Sequence, residues 1–150
     1  MTYKRILVPV DGSQTSTLGL REAIRLAKGQ GASLHLVHVV DGHYMLLSGI
    51  ESGVHTDELL QALGQSGRRI LRKAEGLVKK QGLKCSVALL ETLTGPAADL
   101  IVREARKRRA ELIVIGTHGR RGVKRLLMGS DAEQIVRTSP VPVMLVRSGK

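Results

Sequence analysis

The chain has no tryptophan, no phenylalanine and only two tyrosines among its 150 residues. It therefore lacks the aromatic platform on which proteins stack unpaired bases. It has one cysteine, Cys85, so no intramolecular disulfide can form, which fits a reducing compartment such as the cytosol. No apolar run approaches the ~20 residues needed to span a bilayer. The N-terminal run is broken by Pro9 and Asp11, too early for the apolar region of a signal peptide. Acidic residues are also scarce, 13 against 24 Lys and Arg, for a formal net charge of +11. Such an excess suits anionic partners. It is spread over three places: Arg68/Arg69/Arg72/Lys73, Arg103 with Arg106 to Arg109, and Arg120/Arg121/Lys124/Arg125. The first two read as solvated helix faces.

The third cluster lies in the stretch around which the chain is organised. An apolar run, Leu112 to Ile115, stops at Gly116 and reads as a buried parallel strand. Gly119 and Gly122 follow, interleaved with the basic residues, and then Gly129-Ser130. Ser130 and Glu133 have the S-x-x-E spacing of a capping box, so a helix is expected with Ser130 as its N-cap. A strand leading through a glycine-rich basic loop into a helix N-terminus can hold phosphate. Backbone N–H groups approach the anion, and the helix dipole favours negative charge. Neither G-x-x-x-x-G-K-[ST] nor G-x-G-x-x-G is present.

The rest alternates regularly. Tyr3 to Val10 reads as a first, central strand, ending in the turn Asp11-Gly12-Ser13. Leu20, Ala23, Ile24 and Ala27 mark one face of a helix closed by Gly29 and Gly31. Ser33 to Val40 is a second strand, and residues 41 to 56 show no period and read as a long loop. A long helix carries Leu60, Leu63, Gly67, Ile70, Leu71, Ala74, Leu77 and Val78 on one stripe and stops at Gly82. Lys84 to Glu91 is a third strand. Pro96 suits the first turn of a helix reaching about Arg109. The last helix stops near Ser139-Pro140, and Pro142 to Val146 is a final strand. This β-α alternation predicts an α/β fold with a parallel sheet wrapped on both faces, as one domain over residues 1–150.

Gly116-x2-Gly119-x9-Gly129-Ser130 resembles the nucleotide-binding signature of the universal stress protein family, in its ATP-binding branch. Pro9-x-Asp11-Gly12-Ser13, the strand end His38-Val39-Val40-Asp41 and Gly95-x-Ala97 extend the resemblance over nearly the whole chain. It implies an open, doubly wound sheet of order 3-2-1-4-5, whose switch point between strands one and four would take the ligand. It also implies a cytoplasmic stress-response module that binds ATP, ADP or AMP, with weak or absent ATPase activity. Pro9, Val10, Val39 and Ile115 would wall the adenine. Asp11 would contact ribose or a metal ion such as Mg2+. Gly116, His118, Gly119, Arg120, Gly129, Ser130 and Asp131 would surround the phosphates. On the residues alone Asp11 reads equally as a turn-former, and His118 as a loop histidine with no ligand role. His35 and His38 read as core or edge histidines and Cys85 as a buried inert thiol. Asp131-Ala132 departs from the small neutral or hydroxyl residues common after the glycine and serine, placing negative charge near the phosphates.

A homodimer through Pro142 to Val146 is expected, since an apolar edge strand pairs unless covered. Two other functions compete. One is a slow nucleotide hydrolase or nucleotidyl transferase using Asp11 or His118. The other is a binder of nucleic acid or an acidic partner through the Arg103–Arg109 helix.

Overall fold

The computed structural model describes residues 2–42, 56–117 and 128–148. Within them the chain forms β1 (Arg5–Pro9), α1 (Gln14–Gln30), β2 (Ser33–Asp41), α2 (Thr56–Lys79), β3 (Cys85–Thr92), α3 (Ala97–Lys107), β4 (Leu112–Gly116), α4 (Ser130–Thr138) and β5 (Val143–Val146). The five strands make one sheet in the order β3-β2-β1-β4-β5, every pair parallel. This is the α/β architecture and strand order expected from the sequence. Of the long loop expected over 41–56, Asp41 belongs to β2 and Thr56 to α2, and residues 43–55 lie outside the described residues.

Alternating side chains of the strands feed two cores. Ile6, Val8, Leu34, Leu36 and Val114 face α1 and α2, meeting Leu20, Ala23, Leu71 and Val78. Leu7, Val37, Ile113 and Ile115 face the other way and meet Ala98, Ile101, Val102 and Ile135 from α3 and α4. Each fully buried Leu, Ile or Val contributes about 1.5–3 kcal/mol over leaving it exposed. The near-continuous apolar runs of β1 and β4 are what a strand buried on both faces requires.

Three local readings are corrected. Ser130 is not the N-cap of α4: Gly129 holds that position with φ −60° and ψ 154°, and its C=O accepts the Glu133 N–H at 2.9 Å. The S-x-x-E spacing therefore falls one residue inside the helix, and the capping box does not form. Pro96 is likewise the N-cap of α3 rather than a first-turn residue. Its ring fixes φ, which suits either place. The final strand begins at Val143, because Pro142 has no N–H to give a ladder.

Candidate functional site

The site follows from how β1 and β4 part. Their ladder holds Ile6 opposite Leu112 and Leu7 opposite Ile113 and goes no further. Backbone groups alternate sides along a strand. The Arg5 C=O accepts from Glu111 at the start of β4, whereas the Val10 N–H donates to Val37 on the β2 side, at 2.8 Å. Odd positions of β1 thus face β4, and Pro9 has no N–H to offer there. With the ladder ended, the two strands run on unpaired. The chain leaves β1 for α1 on one face and β4 for α4 on the other.

The crevice so formed has a volume of about 330 Å³. Pro9, Val10, Asp11, Val39, Ile115, Gly116, Gly129, Ser130 and Asp131, nine of the residues named from the family resemblance, all line it. His118, Gly119 and Arg120 lie outside the described residues. Sequence reasoning missed Val37, Leu63, Ala97 and Ile101, which complete the apolar floor, and Ser16 and Thr117 at its polar rim. Gly95-x-Ala97 was a signal that could have placed α3 there. Leu63 was visible only as a member of a helical stripe, whose spacing does not say which residues reach the crevice, and Ile101 was not singled out at all.

Each wall is fixed locally. Asp11 Oδ1 accepts the Ser13 N–H at 2.8 Å, and the Asp11 N–H donates to Ser16 Oγ at 3.1 Å. Ser13 caps α1 through its Oγ, which accepts the Ser16 N–H at 3.2 Å. Asp11 thus forms the turn and also lines the crevice. His38 Nδ1 lies 2.7 Å from the carbonyl oxygen of Val10, tying β2 to the end of β1; among these groups only the ring nitrogen can donate. Gly67 of α2 makes room for that ring, since a Cβ there would stand 2.6 Å from His38 Cδ2.

Gly116, which lines the crevice, also has a packing role. A Cβ on it would lie 2.7 Å from the carbonyl oxygen of Thr15. Its bareness lets the end of β4 pack on the start of α1, a requirement of the fold whatever the ligand. Thr117 is buried, its N–H donating to Val146 and its C=O accepting the Gly129 N–H. The segment between Thr117 and Gly129 therefore leaves and returns at one point, with α4 starting at the crevice. A helix starting there turns its unsatisfied N–H groups and the positive end of its dipole toward the space. Asp11, Asp41 and Asp131 add oxygen donors around it. Among the described residues no group of three or more His, Cys, Asp or Glu is placed to hold a metal ion by itself.

Away from the crevice, His35 is buried with Glu104 and takes no part in this site. Cys85 is half-buried rather than buried, and burial pushes its thiol up to about 11, so it is poorly nucleophilic at neutral pH. No helix among the described residues is long and apolar enough to cross a membrane.

Comparison with known proteins agrees with this geometry. The sequence profile of the universal stress protein family matches residues 2–147. A universal stress protein of Methanocaldococcus jannaschii is 33% identical over 148 residues, covering 99% of this chain and 84% of that protein. The crystal structure of a universal stress protein family member from Burkholderia pseudomallei is 31% identical, with a TM-score of 0.78 over 97% of each chain. The universal stress protein from Archaeoglobus fulgidus in complex with dAMP is 26% identical, with a TM-score of 0.67 over 97% of this chain and 99% of that one. A parallel sheet ordered 3-2-1-4-5, opened between β1 and β4 by Pro9, and a profile match over nearly every residue lead to one conclusion: this chain belongs to the universal stress protein family.

Proposed function

We propose that this protein binds an adenine nucleotide, ATP or its products ADP and AMP, in the crevice between β1 and β4. Residues 1–150 act as one nucleotide-binding module with a regulatory role in the stress response of the cytoplasm. The observation that carries the reading is that an apolar slot and a helix N-terminus meet in one crevice. Val10, Val37, Val39, Ile101 and Ile115 offer the flat apolar walls that a purine ring fills. Exposed backbone groups at the ends of β1 and β2 can read the edge of that ring. Ser130 and the rest of the first turn of α4 offer N–H groups to phosphate oxygens, the Gly129 N–H being given to Thr117. The basic side chains Arg120, Arg121, Lys124 and Arg125 belong to the segment whose ends, Thr117 and Gly129, join at the crevice mouth. The dAMP complex of the Archaeoglobus relative supports an adenine nucleotide as the ligand.

Asp11 and Asp131 decide the role of a cation. Two carboxylates beside a polyphosphate repel it, and a divalent ion between them reverses the sign. Mg2+ commonly binds through one or two carboxylates together with substrate phosphates and waters, which this pair suits. The reading is of a binding module, with Asp11 held in a turn by Ser13 and positioned to orient ribose or the cation. The test is calorimetric titration of the purified protein with ATP, ADP and AMP, with magnesium and with a chelator. Saturable one-site binding of at least one nucleotide is expected. Heats no larger than dilution for all three would overturn the proposal.

A further inference from the structure

A second constellation lies on the α3 face of the sheet, away from the crevice. His35 of β2 and Ser86 of β3 are register partners on neighbouring strands, so their side chains stand on the same face. His35 Nδ1 is 2.6 Å from Ser86 Oγ, and His35 Nε2 is 2.9 Å from Glu104 Oε1 of α3. Arg108 Nε donates to the same Glu104 oxygen at 3.0 Å. His35 and Glu104 are 7% and 6% exposed, whereas Ser86 is exposed. The order Ser, His, Glu leads from solvent into the core. His35 is four residues upstream of Val39, roughly 13 Å back along the strand from the crevice.

The tautomer follows from the partners. An ionised carboxylate only accepts, so Nε2 carries the proton and donates to Glu104. Nδ1 then holds its lone pair toward Ser86, whose hydroxyl donates to it. Burial raises the Glu104 carboxyl, but the bonds from Arg108 and His35 outweigh it and hold the group below the ordinary range. Burial is also the main influence on His35, lowering its affinity for a second proton. The imidazole is thus neutral at neutral pH, the state a general base requires. A serine whose proton is held by an imidazole, itself oriented by a carboxylate, is the arrangement of an activated nucleophile. Here the ring is used the other way round from the common serine hydrolases, with Nδ1 toward the serine.

Beside Ser86 lies a cleft of about 180 Å³, walled by Arg5, Ser33, His35, Ser86 and Arg108. It has room for a small acyl group. Arg5 is paired with Glu111 and Arg108 with Glu104, and the guanidinium N–H groups those pairs leave over can meet negative charge on the donor and on a developing oxyanion. We propose that Ser86, His35 and Glu104 form a hydrolytic site for small activated acyl donors with an anionic leaving group, acyl phosphates and aryl esters being the class.

Ser86 Oγ attacks the acyl carbonyl carbon, its proton passing to His35 Nδ1. The bond from that carbon to the leaving oxygen breaks, and Nδ1–H returns the proton to the leaving group. Water attacks the acyl-serine in the same way. Its proton passes through Nδ1 to Ser86 Oγ as the acid departs. No electrons are exchanged. Glu104 acts as a positioning residue throughout, holding the tautomer.

The experiment uses the full chain carrying Cys85→Ala, which removes the neighbouring thiol. A fluorophosphonate probe is added, and the modified residue is located by mass spectrometry. Hydrolysis of p-nitrophenyl acetate and acetyl phosphate is followed alongside. We expect an adduct on Ser86 and a slow hydrolysis that falls at least 100-fold in Ser86→Ala. His35→Gln should fall at least tenfold, and the rate should climb with pH as the imidazole is freed of its second proton. Ser86 is exposed, so Ser86→Ala keeps the fold and the comparison stays readable if His35→Gln does not fold. Absence of an adduct on Ser86, or equal hydrolysis by Ser86→Ala, overturns the proposal and leaves the serine as a partner for a buried histidine. ATP binding is expected to be unchanged in Ser86→Ala, so either site can fail without the other.

Discussion

Gly129 sits at φ −60° and ψ 154°, a conformation open to any L-residue. A side chain there costs no backbone strain, so its effect reports on what approaches from the crevice. Gly129→Val replaces a favoured N-cap residue by a disfavoured one and is expected to cost about 1 kcal/mol of stability, while weakening ATP by at least tenfold. Gly116 gives the opposite result. Its Cβ would meet the backbone of Thr15 and Ser16, which cannot swing aside, so Gly116→Ala should cost about 1–3 kcal/mol as an overpacked contact. Urea unfolding of the two variants beside nucleotide titrations separates a ligand glycine from a fold glycine. Ser130 was expected as a cap and proves to be the first helical residue. Ser130→Ala should therefore leave stability nearly unchanged, and it should weaken the nucleotide by roughly one hydrogen bond, about 1 kcal/mol. His35 sets the acid limit. Its folded pKa lies below the ordinary value of about 6.5, because burial disfavours the charged ring. Stability from the neutral ring is then present above that range and is lost as pH falls through it. Glu104, also held low, loses its contribution in a second, more acid step. Urea midpoints should drop from pH 7.5 to pH 5.5, and the first step should vanish in His35→Gln. A flat profile over that interval in the parent would contradict this assignment.

At the scale of elements, the period of the apolar residues made the order of strands and helices legible. Strands buried on both faces leave unbroken Ile and Val runs, and α1 leaves Leu20, Ala23, Ile24 and Ala27 at helical spacing. Boundaries moved by a residue or two where backbone hydrogen bonds decide, as at Gly129, Pro96 and Val143. What could not be read were contacts made only by the crossing of elements. Gly116 against Thr15 and Gly67 against His38 each look like ordinary glycines in one dimension. The site was legible where a strand end or helix start carries it. It was illegible where α2 and α3 bring Leu63 and Ile101 to the crevice. The Ser86–His35–Glu104 chain was invisible for the same reason, since it joins three elements. Gly67→Ala tests one such crossing. Alanine gains about 1 kcal/mol of helix propensity, but its Cβ falls 2.6 Å from His38 Cδ2 and 2.7 Å from Leu89 Cδ1. Overpacking of about 1–3 kcal/mol outweighs the gain. The variant should be destabilised, and its nucleotide affinity should fall as His38 is pushed against Val10. A more stable protein with unchanged affinity would show that the ring has room to move.

The whole molecule leaves β3 and β5 at the two edges of the sheet. The Pro142 and Val146 C=O groups face β4, so by alternation the Val143 and Leu145 N–H groups point outward. We expect β5 to pair with β5 of a second copy about a two-fold axis, covering this edge. Leu145 is 38% exposed, while Met144 packs against the α1 core, so Leu145 is the position to change. Leu145→Pro removes an outward N–H and spares the ladder to β4. Light scattering should find a dimer for the parent and a monomer for the variant; two monomers would contradict the pairing. The crevice carries the central claim, because the family, the fold and the charge of +11 all bear on what it holds. The most direct measurement is isothermal titration of ATP into the parent and into Gly129→Val, each with magnesium and with a chelator. The account predicts one-site binding to the parent, tighter with magnesium because of Asp11 and Asp131, and at least tenfold weaker binding to a Gly129→Val protein that is still folded at the temperature of the titration. Equal affinity of the two proteins would put the nucleotide elsewhere, and no binding to the parent would contradict the account outright.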